Sequence, residues 1–315
     1  MLIAPAALAL LALALAWPVP LWLSAAQWPT RSPALALVLW QSIALAGGLS
    51  MIGALLTFGL LPFGTDLVQG VIGFVDSQTS GTATGRAGAH HIAALLGACL
   101  LSAHLLLNLG LTVTQTMRDR HRHRHLLELL TTPDPSRTAT RILDLSMPVA
   151  YCLPIGFRSV IVFSAGLVEL LNPDELRAVT EHEHAHAHQR HDVVLMAFRA
   201  WHTSLPWFPV TYQAEREVRT LIEMLADDHA RGFVDDTTLA RAIALVGNAA
   251  WPGGAEAVAL GHREGDLLPT SRTRITRLTQ SRSTPVTQQL LVIAAAIAIL
   301  GVPTALLLLP AALGS

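Results

Sequence analysis

The chain has 315 residues, 52% of them hydrophobic and 14% charged, with a formal net charge of −1 at pH 7. A soluble domain carries about 25% charged residues, and disordered chains lack apolar residues, so neither a single soluble globule nor a disordered chain fits. The near-zero charge gives no basis for direct nucleic-acid binding.

The charges are unevenly placed. Only Arg31, Asp66, Asp76 and Arg86 precede residue 117, the rest lie between Arg118 and Arg282, and none follows. Every basic residue is Arg, and two cysteines, Cys99 and Cys152, are too few for a disulfide framework. A polar block is thus set between two apolar ones.

Spanning a bilayer as a helix takes about 20 mostly apolar residues. Stretches within 2–26, 34–62, 88–115 and 287–311 meet that demand without Asp, Glu or Arg. Pro5, Pro18, Pro20 and Pro303 are tolerable near helix ends or as kinks. The first stretch has no basic residue before Arg31, unlike a signal peptide, so a retained span is expected. Within the third, His104 and Asn108 are costly in lipid; hydrogen bonding between helices is the ordinary reading. The 63–86 segment, rich in Gly, Ser and Thr, reads as a short outer loop.

Arg118, Arg120, Arg122 and Arg124 follow the third span, and Arg282 precedes the fourth. Basic residues flank spans on the cytoplasmic side. The polar block is therefore expected in the cytoplasm and both termini outside. His121, His123 and His125 alternate with these arginines and read as a basic stripe touching lipid headgroups rather than a metal site.

Within the polar block, Ser159–Ser164 (SVIVFS) reads as an apolar strand that could offer an edge to an extended peptide. Next, Asn172-Pro173-Asp174-Glu175 has the pattern of a helix start, with a cap residue, Pro at the first position and Glu at the third. A helix is expected from Asn172 to about Arg190. It contains His182-Glu183-His184-Ala185-His186, an HExxH match. At i, i+4 both histidines lie on one face, within reach of one Zn²⁺. Glu183 then stands beside the metal, placed to take a proton from the attacking water and pass it to the leaving amine. His184 and His188 share that spacing, but Ala185 follows His184, so that register lacks a base. His184, His188 and His191 read as supporting or solvated residues.

HExxH alone is a weak signal. Downstream, Glu223-Met-Leu-Ala-Asp227 offers Glu223 as a third ligand, leaving one position for water. Asp227, one turn on, can orient a ligand histidine. His202 and His229 are candidates for stabilising an oxyanion, with a structural role as the ordinary reading of each.

These motifs bring a family into view. Over about 150–280 the chain resembles the BlaR/MecR-type integral-membrane metallopeptidases, which are gluzincins. The likeness rests on Asn172–Val179 leading into HExxH, on Trp207-Phe208-Pro209 between the motifs, on Glu223–Asp227, and on the basic run Arg272–Leu278. It implies a mainly α polytopic membrane protein. Residues 1–116 would hold three transmembrane helices, 117–284 a cytoplasmic α+β zinc metalloprotease domain, and 285–315 the fourth helix and an outer tail. It also implies one Zn²⁺ per chain, a bacterial cell-membrane location, and cleavage of a winged-helix repressor of the BlaI type. The family's full-length sensors carry a penicillin-binding domain with a Ser-x-x-Lys nucleophile; this Lys-free sequence has no such motif, so either a partner, a membrane change or an internal signal is expected as trigger, or the protein is not a sensor.

Two other readings stand beside this one. An HtpX-type quality-control protease shares HExxH and a downstream Glu, but membrane spans are expected between its motifs. Here only one apolar run, 193–210, falls there, interrupted by Arg199, His202 and Pro206, and it suits an interfacial or core helix. A histidine-rich membrane scaffold could hold metal without catalysis.

Overall fold

The computed structural model describes residues 2–81, 87–133, 140–155, 158–206, 208–249, 264–280 and 284–308. Arg86, Trp207, Arg282 and the tail after Leu308 lie outside the described residues, as do the side chains of Arg120, His123, Arg124, His125 and Cys152.

The apolar stretches form helices. Ile3–Ala16 (α1) and Pro18–Ala25 (α2) are parted at Trp17, where Pro18 cannot continue the ladder but suits a helix start. Pro33–Leu60 (α3), Ala89–Leu130 (α5) and Val286–Leu308 (α12) complete the set. The segments Ile3–Ala25, Pro33–Leu60, Ala89–Asp119 and Val286–Leu308 are long and apolar enough to cross a membrane. Their outward faces carry Leu10, Leu13, Leu45, Leu100, Leu106 and Leu291, all exposed, a surface suited to lipid and a liability in water. α3 is the hub: α1, α12 and α5 all pack on it. Backbones come close where α3 crosses α5, since a Cβ on Gly59 would lie 3.0 Å from the His91 carbonyl.

Two expectations change here. The 63–86 segment contains a helix, Leu67–Thr79 (α4), started by Asp66, whose side chain accepts from the Gln69 N–H. Val68, Val71, Ile72 and Val75 line its exposed side. The third apolar helix also continues beyond 115 through the Arg/His stretch. At 42 residues it is about 63 Å long, twice the hydrocarbon thickness of about 30 Å.

Thr131–Pro133 (β1), Thr140–Leu143 (β2), Ala150–Ile155 (β3) and Arg158–Ser164 (β4) form one sheet, ordered β1-β2-β4-β3. β4 is parallel to β2 and antiparallel to β3. The apolar run is therefore a central strand, not an edge. Ile161, Val162 and Phe163 are all buried, so both of its faces are covered, which is why the run lacks polar alternation. Ala165–Leu170 (α6) and Pro173–His188 (α7) follow, and Ile161, Phe163, Leu167, Leu171 and Leu176 form one core.

α7 begins as its sequence implies. The Asn172 side chain accepts from the Asp174 and Glu175 N–H groups, and the Glu175 carboxylate accepts from the Asn172 N–H. His191–Ser204 (α8), Pro209–Ala230 (α9), Asp236–Ala249 (α10) and Glu264–Thr279 (α11) complete the chain. The 193–210 run is thus a 14-residue helix followed by a turn. A second core joins Ala178 of α7, Ala230 of α9, Leu239 and Ala242 of α10 and Leu278 of α11.

Asn172→Ala removes the acceptor from two N–H groups. It should cost about 1 kcal/mol, read as a lowered apparent Tm of the full chain in detergent, with Asn172→Asp retaining most of it.

Candidate metal centre

α7 and α9 pack against each other and bring His182, His186 and Glu223 together, with one potential ligand atom from each within 4.8 Å of the others. His182 Nε2 lies 3.2 Å from His186 Nε2 and 3.4 Å from Glu223 Oε2. His186 Nε2 lies 3.5 Å from Glu223 Oε1. Tetrahedral donors about 2.05 Å from one Zn²⁺ would stand about 3.3 Å apart. The two imidazole nitrogens already have about that spacing, and a Glu223 oxygen lies near each of them, Oε2 by His182 and Oε1 by His186, so the donor set fits zinc.

The remaining ring nitrogens are held from behind. His182 Nδ1 faces Asp227 Oδ1 at 3.0 Å. His186 Nδ1 faces His191 Nδ1 at 3.1 Å, and His191 Nε2 lies 2.8 Å from Gln189 Oε1. His191 reaches back because Arg190 adopts left-handed backbone geometry (φ 49°) and reverses the chain between α7 and α8. Among the supporting candidates only His191 is buried; His184 and His188 are turned outward, with His184 beside Glu181. His229 also pairs with Glu181, and His202 contacts Thr211 and Tyr212 after α8. Glu183, half-buried, follows His182 on α7.

The largest addition to the sequence reading is Arg274 on α11. Its Nε and Nη2 donate to the two oxygens of Asp227 at 2.7 and 2.6 Å, and its Nη1 donates to Glu223 Oε2 at 3.0 Å. One guanidinium therefore clamps the third candidate ligand and the group behind the first, in the forked geometry that Lys cannot copy. Three residues on, Arg277 donates to Asp228 at 2.7 Å and to the Thr30 carbonyl at 2.6 Å. The basic run carries the family resemblance, and the i, i+3 spacing within it is what aims both arginines at α9.

The electrostatics follow. Burial alone would raise Asp227, but the Arg274 charge and hydrogen bonds outweigh it and hold the carboxyl at about 2. Glu223 falls well below the usual carboxylate range, since the hydrogen bond with His182 and the Arg274 charge outweigh burial. Burial would lower His182, yet its bonds to Asp227 and Glu223 lift it to about 9. His186, with burial dominant, drops to about 4.

Arg274→Leu would leave the buried Asp227 and the partly buried Glu223 carboxylates without their cation, a loss of about 3–5 kcal/mol. The expected result is a large fall in apparent Tm of the metal-free chain, with Arg274→Lys intermediate because it restores charge without the fork.

Comparison with known proteins adds one match. A model of Peptidase family M48 matches residues 114–220, about a third of the chain, including His182, Glu183 and His186 and ending before Glu223. The family is one of metallopeptidases, the HtpX and BlaR types among them. No curated protein and no solved structure matches the chain. The segment carrying both histidines and the glutamate between them is thus similar to a metallopeptidase family, in a chain whose four apolar helices mark it as a membrane protein.

Proposed function

We propose that this protein is a membrane-bound zinc endopeptidase, with His182, His186 and Glu223 as metal ligands and Glu183 as the proton-transfer residue. The observation that carries the proposal is the convergence of His182 Nε2, His186 Nε2 and the Glu223 carboxylate from two packed helices, with contacts of 3.2 to 3.5 Å, beside a glutamate in the HExxH position. Bound there, Zn²⁺ supplies a Lewis acid that polarises a carbonyl and acidifies water. Glu183 takes the proton of the attacking water and delivers it to the nitrogen of the departing amine. Asp227 accepts from His182 Nδ1–H, which aims Nε2 at the metal position. Arg274 holds both carboxylates in place. The substrate backbone can add to β3, which packs on α7 and whose outer edge has no partner among the described residues.

For the substrate, the reading follows the resemblance: a regulatory protease on the cytoplasmic face that makes a site-specific cut in a winged-helix repressor of the BlaI type. An HtpX-type quality-control role is the second reading. It is favoured by the apolar helix α8, which lies between the two motifs and packs along α5, although 14 residues are too few to cross a bilayer.

Glu183→Gln in the full chain should keep zinc by metal analysis and lose about 10²- to 10⁴-fold in peptide hydrolysis; cleavage at the parental rate would refute the assignment. His182→Ala should lose the zinc, whereas one zinc retained per chain would point to His184 and His188 instead. A single cut in a folded winged-helix repressor supports the regulatory reading, and many cuts confined to unfolded casein support the quality-control one.

A further inference from the structure

His104 lies in the third apolar helix, and its partner is not another span. Its Nε2 stands 3.0 Å from the carbonyl oxygen of Ser204, the last residue of α8. A carbonyl only accepts, so Nε2 carries the proton, and Asn108 Nδ2 donates to Nδ1 at 3.3 Å. A helix end has carbonyls with no partner in the helix, and His104 covers one of them. Two carbonyls of the described residues in the turn just beyond it are also paired within the protein. The Leu205 carbonyl accepts from the Phe208 N–H at 3.0 Å, and the Phe208 carbonyl accepts from the Thr211 N–H at 3.1 Å and its hydroxyl at 2.7 Å. Thr211 is fully buried, and His202 Nδ1 approaches its hydroxyl at 3.3 Å. Internal partners for irregular backbone are what the hydrocarbon layer requires and water does not.

The depth of this turn follows from helix lengths. Gly59 of α3 touches the His91 carbonyl of α5, which levels the two helices at the end away from the metal centre. Counting about 20 residues, or 30 Å, from there brings the other face of the hydrocarbon to Trp40 on α3 and Leu111 on α5. His104 then lies about 10 Å inside that face. A second observation agrees. Phe198 of α8 and Ala214, Val218 and Ile222 of α9 share one core with Trp40, Ile43 and Ala46 of α3 and Ala296 of α12, which are span residues at or above the same boundary. The charged residues suit this placement. Arg199, five residues before Ser204, falls about 3 Å from the boundary, within reach of the headgroups. Glu215 and Arg219, which pair at 3.3 Å, fall at or outside it.

We propose that α8 and the start of α9 form a re-entrant hairpin that dips into the near leaflet from the side of the metal centre, with His104 of the third span capping its carbonyl end. The occupant of its exposed face, Val193, Ala197, Thr203 and Pro206, with the exposed Arg199 at headgroup level, is the lipid bilayer. Because α8 begins at His191 behind the ligand set and α9 carries Glu223, the hairpin fixes the centre close to the membrane surface. The inference needs the chain to span a bilayer but does not depend on the proposed peptidase chemistry.

The test is spin-label depth in the full chain, with Cys99→Ser and Cys152→Ser, reconstituted in phosphatidylethanolamine and phosphatidylglycerol vesicles. Single cysteines at Val193, Thr203 and Pro206 are compared with Leu106, exposed on the third span, and Arg177, exposed on α7. The ratio of oxygen to nickel-complex accessibility should rise from Val193 through Thr203 to Pro206, with Pro206 severalfold above Arg177 and comparable to Leu106, which lies about 7.5 Å inside the same face. Pro206 equal to Arg177 while Leu106 reads as lipid overturns the hairpin alone; Leu106 reading as water overturns the membrane reading and the hairpin with it. His104→Leu should shift the Pro206 label toward the aqueous value, and His104→Gln, which restores a donor, should return it. An unchanged label depth in His104→Leu overturns the cap.

Discussion

Helix α9 is covered on opposite sides, and the rest of the molecule is arranged around that constraint. Ala214, Val218, Leu221 and Ile222 pack into the core shared with α1, α2, α3 and α12, while Ala230 packs with α7, α10 and α11. Glu223 and Asp227 occupy the same stretch of helix, next to Ile222 and Ala226, which are fully buried. A shift of α9 against α3 would therefore move both carboxylates relative to His182 and His186. Close-packed interiors transmit such shifts instead of absorbing them. The geometry of the metal centre and the packing of the apolar helices are consequently one mechanical problem.

α11 closes this arrangement through charge. Arg274 reaches Asp227 and Glu223, and Arg277 reaches Asp228 and the Thr30 carbonyl between the first two apolar segments. Ser32 adds a hydroxyl contact of 2.7 Å to Thr284, ahead of α12. The entry to α3, the entry to α12 and the acidic turns of α9 are thus tied at one level. Partly buried arginine pairs of this geometry hold position more than they add stability, since desolvation offsets much of their attraction.

Much of this was legible in the sequence because the signals are local. Apolar length gave four helices, a capping box gave the start of α7, and i, i+4 spacing put His182 and His186 on one face. The failures were of two physical kinds. The Ser159–Ser164 run was read as a possible edge, yet a strand covered on both faces loses its alternation because it is central, and pairing partners are remote in sequence. His104 reads in the sequence as a hydrogen-bonding group between helices and it is one; only the identity of its partner, the carbonyl ending α8 one hundred residues away, has no local signal. Arg274 lay in a run that was noticed but not placed, since only tertiary packing brings α11 over α9. His184, His188 and His191 read alike as supporting or solvated residues, and the left-handed Arg190 turns only His191 back to support His186.

The charge balance at the centre explains why so many ionic groups can share one buried site. Asp227 and Glu223 are held ionised and Arg274 remains charged, because the surrounding carboxylates outweigh the effect of its burial. His182, lifted to about 9, contributes a second positive charge near neutral pH, so two carboxylates face two cations. His186 is pushed to about 4 and stays neutral, as a ligand must be. The two histidines of one motif therefore differ, because only His182 has a carboxylate against each ring nitrogen. His182 must give up its proton before its Nε2 can serve as a ligand.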